Sequence, residues 1–229
     1  MGASSDALRT AAVIPVKRLD SAHGRLADLL GAPDRHRLAE ALYRDLLAKI
    51  RRSRTIDDVI VVTADPSVVR HARWLGHQVL TQEKDTGHAA AAGAGALAAR
   101  ARGYDRVAML PIDCPLFDPA ELDARMGRTP RTALIVPDRH GTGTNALVLC
   151  PPDAFAPAFG PDSCARHVSR ARGAGISFAL ERVHSLETDL DTPADFEQLR
   201  DALLIDPQPA VRTAQVLWEL GAEPEPAAA

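Results

Sequence analysis

The chain has little with which to staple itself together or to bind soft metals. Its three cysteines, Cys114, Cys150 and Cys164, are odd in number and include no Cys-x-x-Cys pair. That argues against a disulfide framework and a thiolate zinc site, and fits a reducing cytoplasm. No run reaches the roughly 18 apolar residues of a membrane span, and Met1–Asp6 shows neither a signal-peptide core nor a lipidation pattern. The expectation is a soluble cytoplasmic protein with no membrane partner. An excess of positive charge is also missing: 27 Lys and Arg stand against 30 Asp and Glu. No global field exists to hold nucleic acid, so ligands must be recognised locally. A G-x-G-x-x-G loop, an internal repeat and an interdomain linker are absent as well.

What is present reads as a globular chain. Apolar residues at 46% and charged residues at 25% exclude a disordered tail, a collagen-like repeat and a coiled coil. A length of 229 residues suits one large domain, expected over 9–221, with 1–8 and 222–229 as flexible tails. Seven short β-branched or apolar runs predict buried strands: Ala11–Val16, Val59–Thr63, Val79–Thr81, Val107–Leu110, Ala133–Val136, Ala146–Cys150 and Ile176–Ala179. Helical patterns lie between several of them. Leu38, Leu42, Leu46 and Ile50 mark a helix over 34–52. Asp118-Pro119-Ala120-Glu121 and Thr192-Pro193-Ala194-Asp195 each offer a cap, an N1 proline and an acid at N3. After the second start, Phe196, Leu199 and Leu203 form a buried stripe. The Ala-rich segment from His88 to Ala101 reads as a helix whose small face approaches a sheet closely. The predicted fold is α/β, a single three-layer Rossmann-like domain with a mixed, mostly parallel sheet.

Ligands of open α/β sheets bind beyond the carboxyl ends of the strands, so the residues just past each strand are the first candidates. Lys17-Arg18-Leu19-Asp20 and Arg25 come after the first strand, and Pro111-Ile112-Asp113-Cys114-Pro115 comes after the fourth. Near the end, Asp189 and Asp191 are spaced i and i+2, which in an extended segment aims both carboxylates to one face. With Asp113 they would supply three hard oxygen ligands, a set suited to Mg²⁺ completed by substrate phosphates. The same two residues also read as ordinary loop and cap positions. Gly141-Thr142-Gly143-Thr144-Asn145 reads as an amide nest for an anion or as a plain hairpin turn. Phe159-Gly160-Pro161-Asp162-Ser163, leading to Arg166 and His167, reads as a phosphate site at a helix N-terminus or as a capped start without ligand. Together these features describe a pocket for two phosphorylated substrates.

These segments keep a recognisable order. Val16-Lys17-Arg18-Leu19 with Arg25-Leu26, Asp113-Cys114-Pro115-Leu116, Asp138-Arg139-His140-Gly141-Thr142-Gly143-Thr144, Phe159-Gly160-Pro161-Asp162-Ser163 with Ala165-Arg166-His167, and Asp189-Leu190-Asp191-Thr192-Pro193 span nearly the whole chain. The sequence resembles the 2-phospho-L-lactate/phosphoenolpyruvate guanylyltransferase family of coenzyme F-420 biosynthesis. The resemblance implies a nucleotidyltransferase-type fold, GTP as donor and a phosphorylated three-carbon acid as acceptor. It implies Asp113, Asp189 and Asp191 as Mg²⁺ ligands, Lys17 and Arg25 facing the triphosphate, and Thr144, Gly160 and Ser163 against the acceptor. His23 stands where the family usually has Lys, and Gly87-His88 where a Leu-Asn pair opens the nucleotide-side helix. Two alternatives remain at this stage: transfer to 3-phosphoglycerate or another metabolite, with GTP or another nucleotide, and a nucleotide-binding regulator without turnover.

Other residues are expected to play no part in chemistry. His36, His71, His77 and His184 lack the spacing of a metal pair, whereas His140 and His167 flank the phosphate segments and are candidates to touch ligand. Trp74 and Trp218 are expected in the core or against a partner. Lys49, Arg51, Arg52 and Arg54 read as a helix C-terminal charge effect on a solvated face. Val211, Leu217, Trp218 and Leu220 leave two readings open, a stripe for a homodimer or packing on their own domain.

Overall fold

The computed structural model describes residues 8–129 and 131–221. Of the expected tails, all but Leu8 lie outside those residues. Seven strands form one sheet: β1 (Thr10–Val16), β2 (Asp58–Thr63), β3 (Gln78–Thr81), β4 (Arg106–Met109), β5 (Ala133–Pro137), β6 (Thr144–Leu149) and β7 (Phe178–Leu180). Their order is β3-β2-β1-β4-β6-β5-β7. The pairs β1–β2, β1–β4, β2–β3 and β5–β7 are parallel, and β6 runs against both neighbours. This is the mixed, mostly parallel sheet expected, and every predicted strand is present within two residues of its predicted limits.

Among the described residues there are seven α-helices: α1 (Ala32–Ile50), α2 (Pro66–Trp74), α3 (His88–Ala101), α4 (Pro119–Arg128) and α5 (Ser163–Gly173), which flank the sheet, and α6 (Pro193–Ile205) and α7 (Val211–Gly221), which pack on α1. All seven residues of β1 are buried because the strand is covered on both faces. Ala12, Ile14 and Val16 pack with Tyr43, Leu46 and Leu47 of α1, while Ala11 and Val13 pack with Ala92, Ala96 and Ala99 of α3. The two-residue period of the strand thus builds two cores. A third lies beside them, where Leu38 and Leu42 of α1 meet Phe196, Leu199, Leu203 and Leu217 of α6 and α7.

Local signals act as their chemistry dictates. Asp118 accepts from the Ala120 N–H and caps α4, and Thr192 and Asp195 form a reciprocal capping box on α6. Gly95 explains the small-residue face of α3. A Cβ there would stand 2.3 Å from Val13 Cγ1 and 3.0 Å from Val62 Cγ2, so only glycine lets this helix lie so close to β1 and β2.

One expectation is corrected and two are narrowed. Lys49 does not belong to a solvated basic cluster: it is 5% exposed and donates to the Pro115 carbonyl. Its spacing from Leu42, Asp45 and Leu46 puts it on the inward face of α1, whereas Arg51 and Arg52 follow the helix and are exposed. Burial pushes its ammonium down to about 8. Of the two places expected for Trp74 and Trp218, the core is excluded, since they are 80% and 60% exposed. The C-terminal stripe divides, with Leu217 buried and Leu220 packed beside it in the third core while Val211 and Trp218 face outward.

Candidate active site

Strands β1 and β4 are neighbours, and the chain passes from β1 to β2 and β3 on one side and from β4 to β5 on the other. That is the switch point at which an open α/β sheet leaves a crevice. A cavity of about 960 Å³ lies there. Lys17 enters it directly after β1, and Asp113 enters it from the segment after β4. His23 and Arg25 come from the short helical turns beyond β1, and Gly87 and His88 from the start of α3. One wall of the cavity carries Thr144 at the start of β6, Gly160 from the loop that leads into α5 and Ser163 at the first position of α5. All eight residues singled out from the sequence, Lys17, Arg25, Asp113, Thr144, Gly160, Ser163, Asp189 and Asp191, line this one space.

The two carboxylate segments are joined through their backbones. The Leu190 N–H donates to the Asp113 carbonyl at 2.9 Å, and the fully buried Leu190 side chain sinks into the third core. Asp189 and Asp191, on either side of it, face the cavity as the i, i+2 spacing requires. Asp195 fixes the far end of this segment. One of its oxygens accepts from the Asp191 N–H at 3.2 Å and the Thr192 N–H at 2.7 Å, and the other takes a hydrogen bond from Arg139. Burial works against that carboxylate, but the hydrogen bonds from Arg139 and Thr192 prevail and hold its pKa below the ordinary range.

The electrostatics are those of unbalanced negative charge. Burial, then the charges of Asp191 and Asp189, push Asp113 up to about 7, and burial raises Asp189 as well. The carboxylates do not form a finished cage. Among the described residues no group of three or more His, Cys, Asp or Glu side chains is arranged to hold a metal ion, and Arg25 holds Asp191 in a salt bridge of 2.6 Å. Lys17 remains exposed to the cavity. His88 is neutral at ordinary pH, since burial and then the charge of Lys17 lower it to about 4, and its ring meets Phe159 edge-on at 4.7 Å. His23 has a left-handed backbone and a ring Nε2 that is buried without a partner.

Both suspected amide nests are largely spent within the protein. Asp138 receives the Thr142 N–H on its carboxylate at 3.0 Å and the Gly141 N–H on its carbonyl at 3.1 Å. At the start of α5 the Ser163 N–H goes to the Gly160 carbonyl and the Cys164 N–H to the Thr142 carbonyl. The second bond clamps the hairpin to the helix. Arg166 is also occupied, donating to the Ala158 carbonyl at 2.7 Å. His140 lies outside the cavity lining and receives the Nε–H of Arg139. His167 lies behind the wall, fully buried. The sequence signal for Lys49, whose bond to Pro115 braces the segment after Asp113, was its place in the helical period of α1.

The architecture is shared with solved structures of low sequence identity. A putative nucleotide-diphospho-sugar transferase from Desulfovibrio desulfuricans superposes with a TM-score of 0.73 at 19% identity, covering 92% of this chain and 94% of that one. A CMP:2-keto-3-deoxy-manno-octonic acid synthetase complexed with CTP gives a TM-score of 0.58 at 14% identity, covering 86% and 99%. These likenesses show the fold, a nucleotide-diphospho-sugar transferase-like α/β domain. Sequence comparison is more specific. The family described as "Guanylyl transferase CofC like" matches residues 10–203. A phosphoenolpyruvate guanylyltransferase of Conexibacter woesei is 44% identical over 217 residues, 93% of this chain and 97% of that protein. The enzyme of the same name from Sphaerobacter thermophilus is 39% identical over 193 residues, 84% and 93% respectively. The chain belongs to the CofC-like guanylyl transferase family, and the family, fold and nucleotidyltransferase class expected from the sequence are met.

Proposed function

We propose that the protein transfers GMP from GTP to phosphoenolpyruvate with release of pyrophosphate, in the assembly of coenzyme F-420. One observation carries this reading: Lys17 and the three aspartates line the same single cavity as Thr144, Gly160 and Ser163. The volume of about 960 Å³ is at the upper end of small-molecule pockets and accommodates a nucleotide and a three-carbon acid together. The shared name of the relatives supports the choice of acceptor and nucleotide.

The acceptor's phosphate is already ionised at neutral pH, so no side chain need act as a general base. Its oxygen attacks the α-phosphorus, a new O–P bond forms, and the bond to the bridging oxygen breaks as pyrophosphate departs. The obstacle is mutual repulsion of two anions, and the chain's own cations answer it. Lys17 lies in the open cavity and would carry the triphosphate, with Arg25 turning from Asp191 to join it. Thr144 and Ser163 would orient the acceptor for in-line attack.

The raised Asp113, repelled by two neighbouring carboxylates, fits a site made for a divalent cation. Asp113, Asp189 and Asp191 would hold Mg²⁺, which supplies neutralisation of the phosphate charge. An incomplete protein cage agrees with Mg²⁺, which keeps waters and substrate oxygens among its ligands.

The test is a mass-spectrometric assay with Mg²⁺ and each of the four nucleoside triphosphates, offered with phosphoenolpyruvate, 2-phospho-L-lactate or 3-phosphoglycerate. The expected product is the GMP adduct of phosphoenolpyruvate together with one pyrophosphate. A different adduct would reassign the substrates, and binding without any adduct would make the protein a regulator.

A further inference from the structure

The side chain of His167 is fully buried behind the acceptor wall and touches neither the cavity nor solvent. Both of its ring nitrogens are engaged. Nε2 lies 2.8 Å from the Ala158 backbone nitrogen, and Nδ1 lies 3.0 Å from Thr144 Oγ1. A backbone N–H can only donate, so Nε2 must offer its lone pair. A doubly protonated ring would set two N–H groups against each other there. The ring is therefore neutral with its proton on Nδ1, and burial, followed by the charges of Arg170 and Arg166, favours the same neutral form.

That tautomer determines the polarity of Thr144. Nδ1–H donates to Oγ1, which leaves the hydroxyl's own hydrogen unspent. Among the described residues the hydroxyl has no other hydrogen-bond partner, and Thr144 lines the cavity. The geometry assigns His167 as a positioning residue: it turns the Thr144 hydroxyl into a committed donor toward the anionic group of the acceptor, while its other nitrogen holds the loop that carries Gly160. The inference rests on the proposed guanylyl transfer for the identity of that anion. One ring thus spans both halves of the acceptor wall, β6 through Thr144 and the segment before α5 through Ala158. Phe159 packs edge-on against it at 5.2 Å and keeps the ring from rotating.

Two variants separate the two bonds. His167→Asn retains a donor near the Nδ1 position, and His167→Gln retains an acceptor near the Nε2 position. In steady-state assays of pyrophosphate release, H167Q is expected to raise the acceptor KM about tenfold, with kcat and the nucleotide KM within about twofold. H167N should stay within about threefold of the parent for the acceptor. In a Thr144→Val background, H167Q should add nothing, since the two act as one unit. Nitrogen-15 NMR of histidine-labelled protein should show a protonated Nδ1 and a bare Nε2, a readout that needs no turnover. A protonated Nε2, an unchanged acceptor KM in folded H167Q, or equal rises in both KM values would overturn the assignment while leaving the reaction standing. An unsubstituted enzyme that makes no guanylyl adduct would remove the reaction, and this role with it.

Discussion

Replacing Asp113 with asparagine should make the unliganded protein more stable at neutral pH while abolishing most turnover. The carboxyl has an ordinary pKa of 3.8 when the chain is unfolded and about 7 in the folded site. Below about pH 4 it is protonated in both states and costs nothing. As the pH rises through 7 the folded protein must ionise it beside Asp189 and Asp191, and that part of its stability is lost. The rise in pKa corresponds to roughly 4 kcal/mol at full ionisation. Because Asp113 is only partly shielded from cavity water, screening leaves an expected gain of about 1–2 kcal/mol for the variant. In a protein of this size that is about 2–8 °C in Tm. Melts without divalent ions between pH 4.5 and 8 would measure it. The gap between variant and parent should open with rising pH and narrow when Mg²⁺ and nucleotide are added to the parent. Identical Tm values at pH 8, or a gap of constant size across the range, would refute the claim that unbalanced charge is stored at this carboxyl.

Three further perturbations test other parts of the architecture. Gly95→Ala drives a Cβ into Val13 and Val62 and should lower stability by about 1–3 kcal/mol, read as a lower urea midpoint; an unchanged midpoint would mean that α3 can shift freely. Arg25→Ala removes an exposed ion pair with Asp191 and should alter stability by less than about 1 kcal/mol while cutting turnover at least tenfold. A lower Tm with normal turnover would make Arg25 a strut. Asp45→Ala strips the partner from the buried Thr213 N–H and hydroxyl and should cost about 2–4 kcal/mol by loosening α7 from α1, as hydrogen exchange across 211–221 would reveal.

The strands were legible because β1, β4, β5 and β6 are buried on both faces and read as continuous apolar runs. Helix starts were legible where a capping side chain precedes proline, as at Asp118 and Thr192. The pairing of Asp189 with Asp191 was visible in their spacing, and the resemblance to a guanylyltransferase family brought in Thr144, Gly160 and Ser163. What escaped the sequence depends on partners distant in the chain. Nothing local says that the amides after Asp138 and Asp162 are taken by Asp138, Gly160 and Thr142, or that Arg25 rests against Asp191. Lys49 was misplaced because three arginines come closely after it, and charge composition masked its position on the helix. His167 lies near a phosphate-like motif, yet its two hydrogen bonds go to the Thr144 hydroxyl and the Ala158 N–H and leave its ring outside the cavity.

The bond from Leu190 to the Asp113 carbonyl joins a segment near the middle of the chain to one close to its end. During synthesis the first part of the sheet can form while the later carboxylates are still inside the ribosome. The nascent polypeptide therefore holds only part of the cavity lining, and Asp189 and Asp191 join Asp113 only once the last third of the chain has emerged and the Leu190 bond can form.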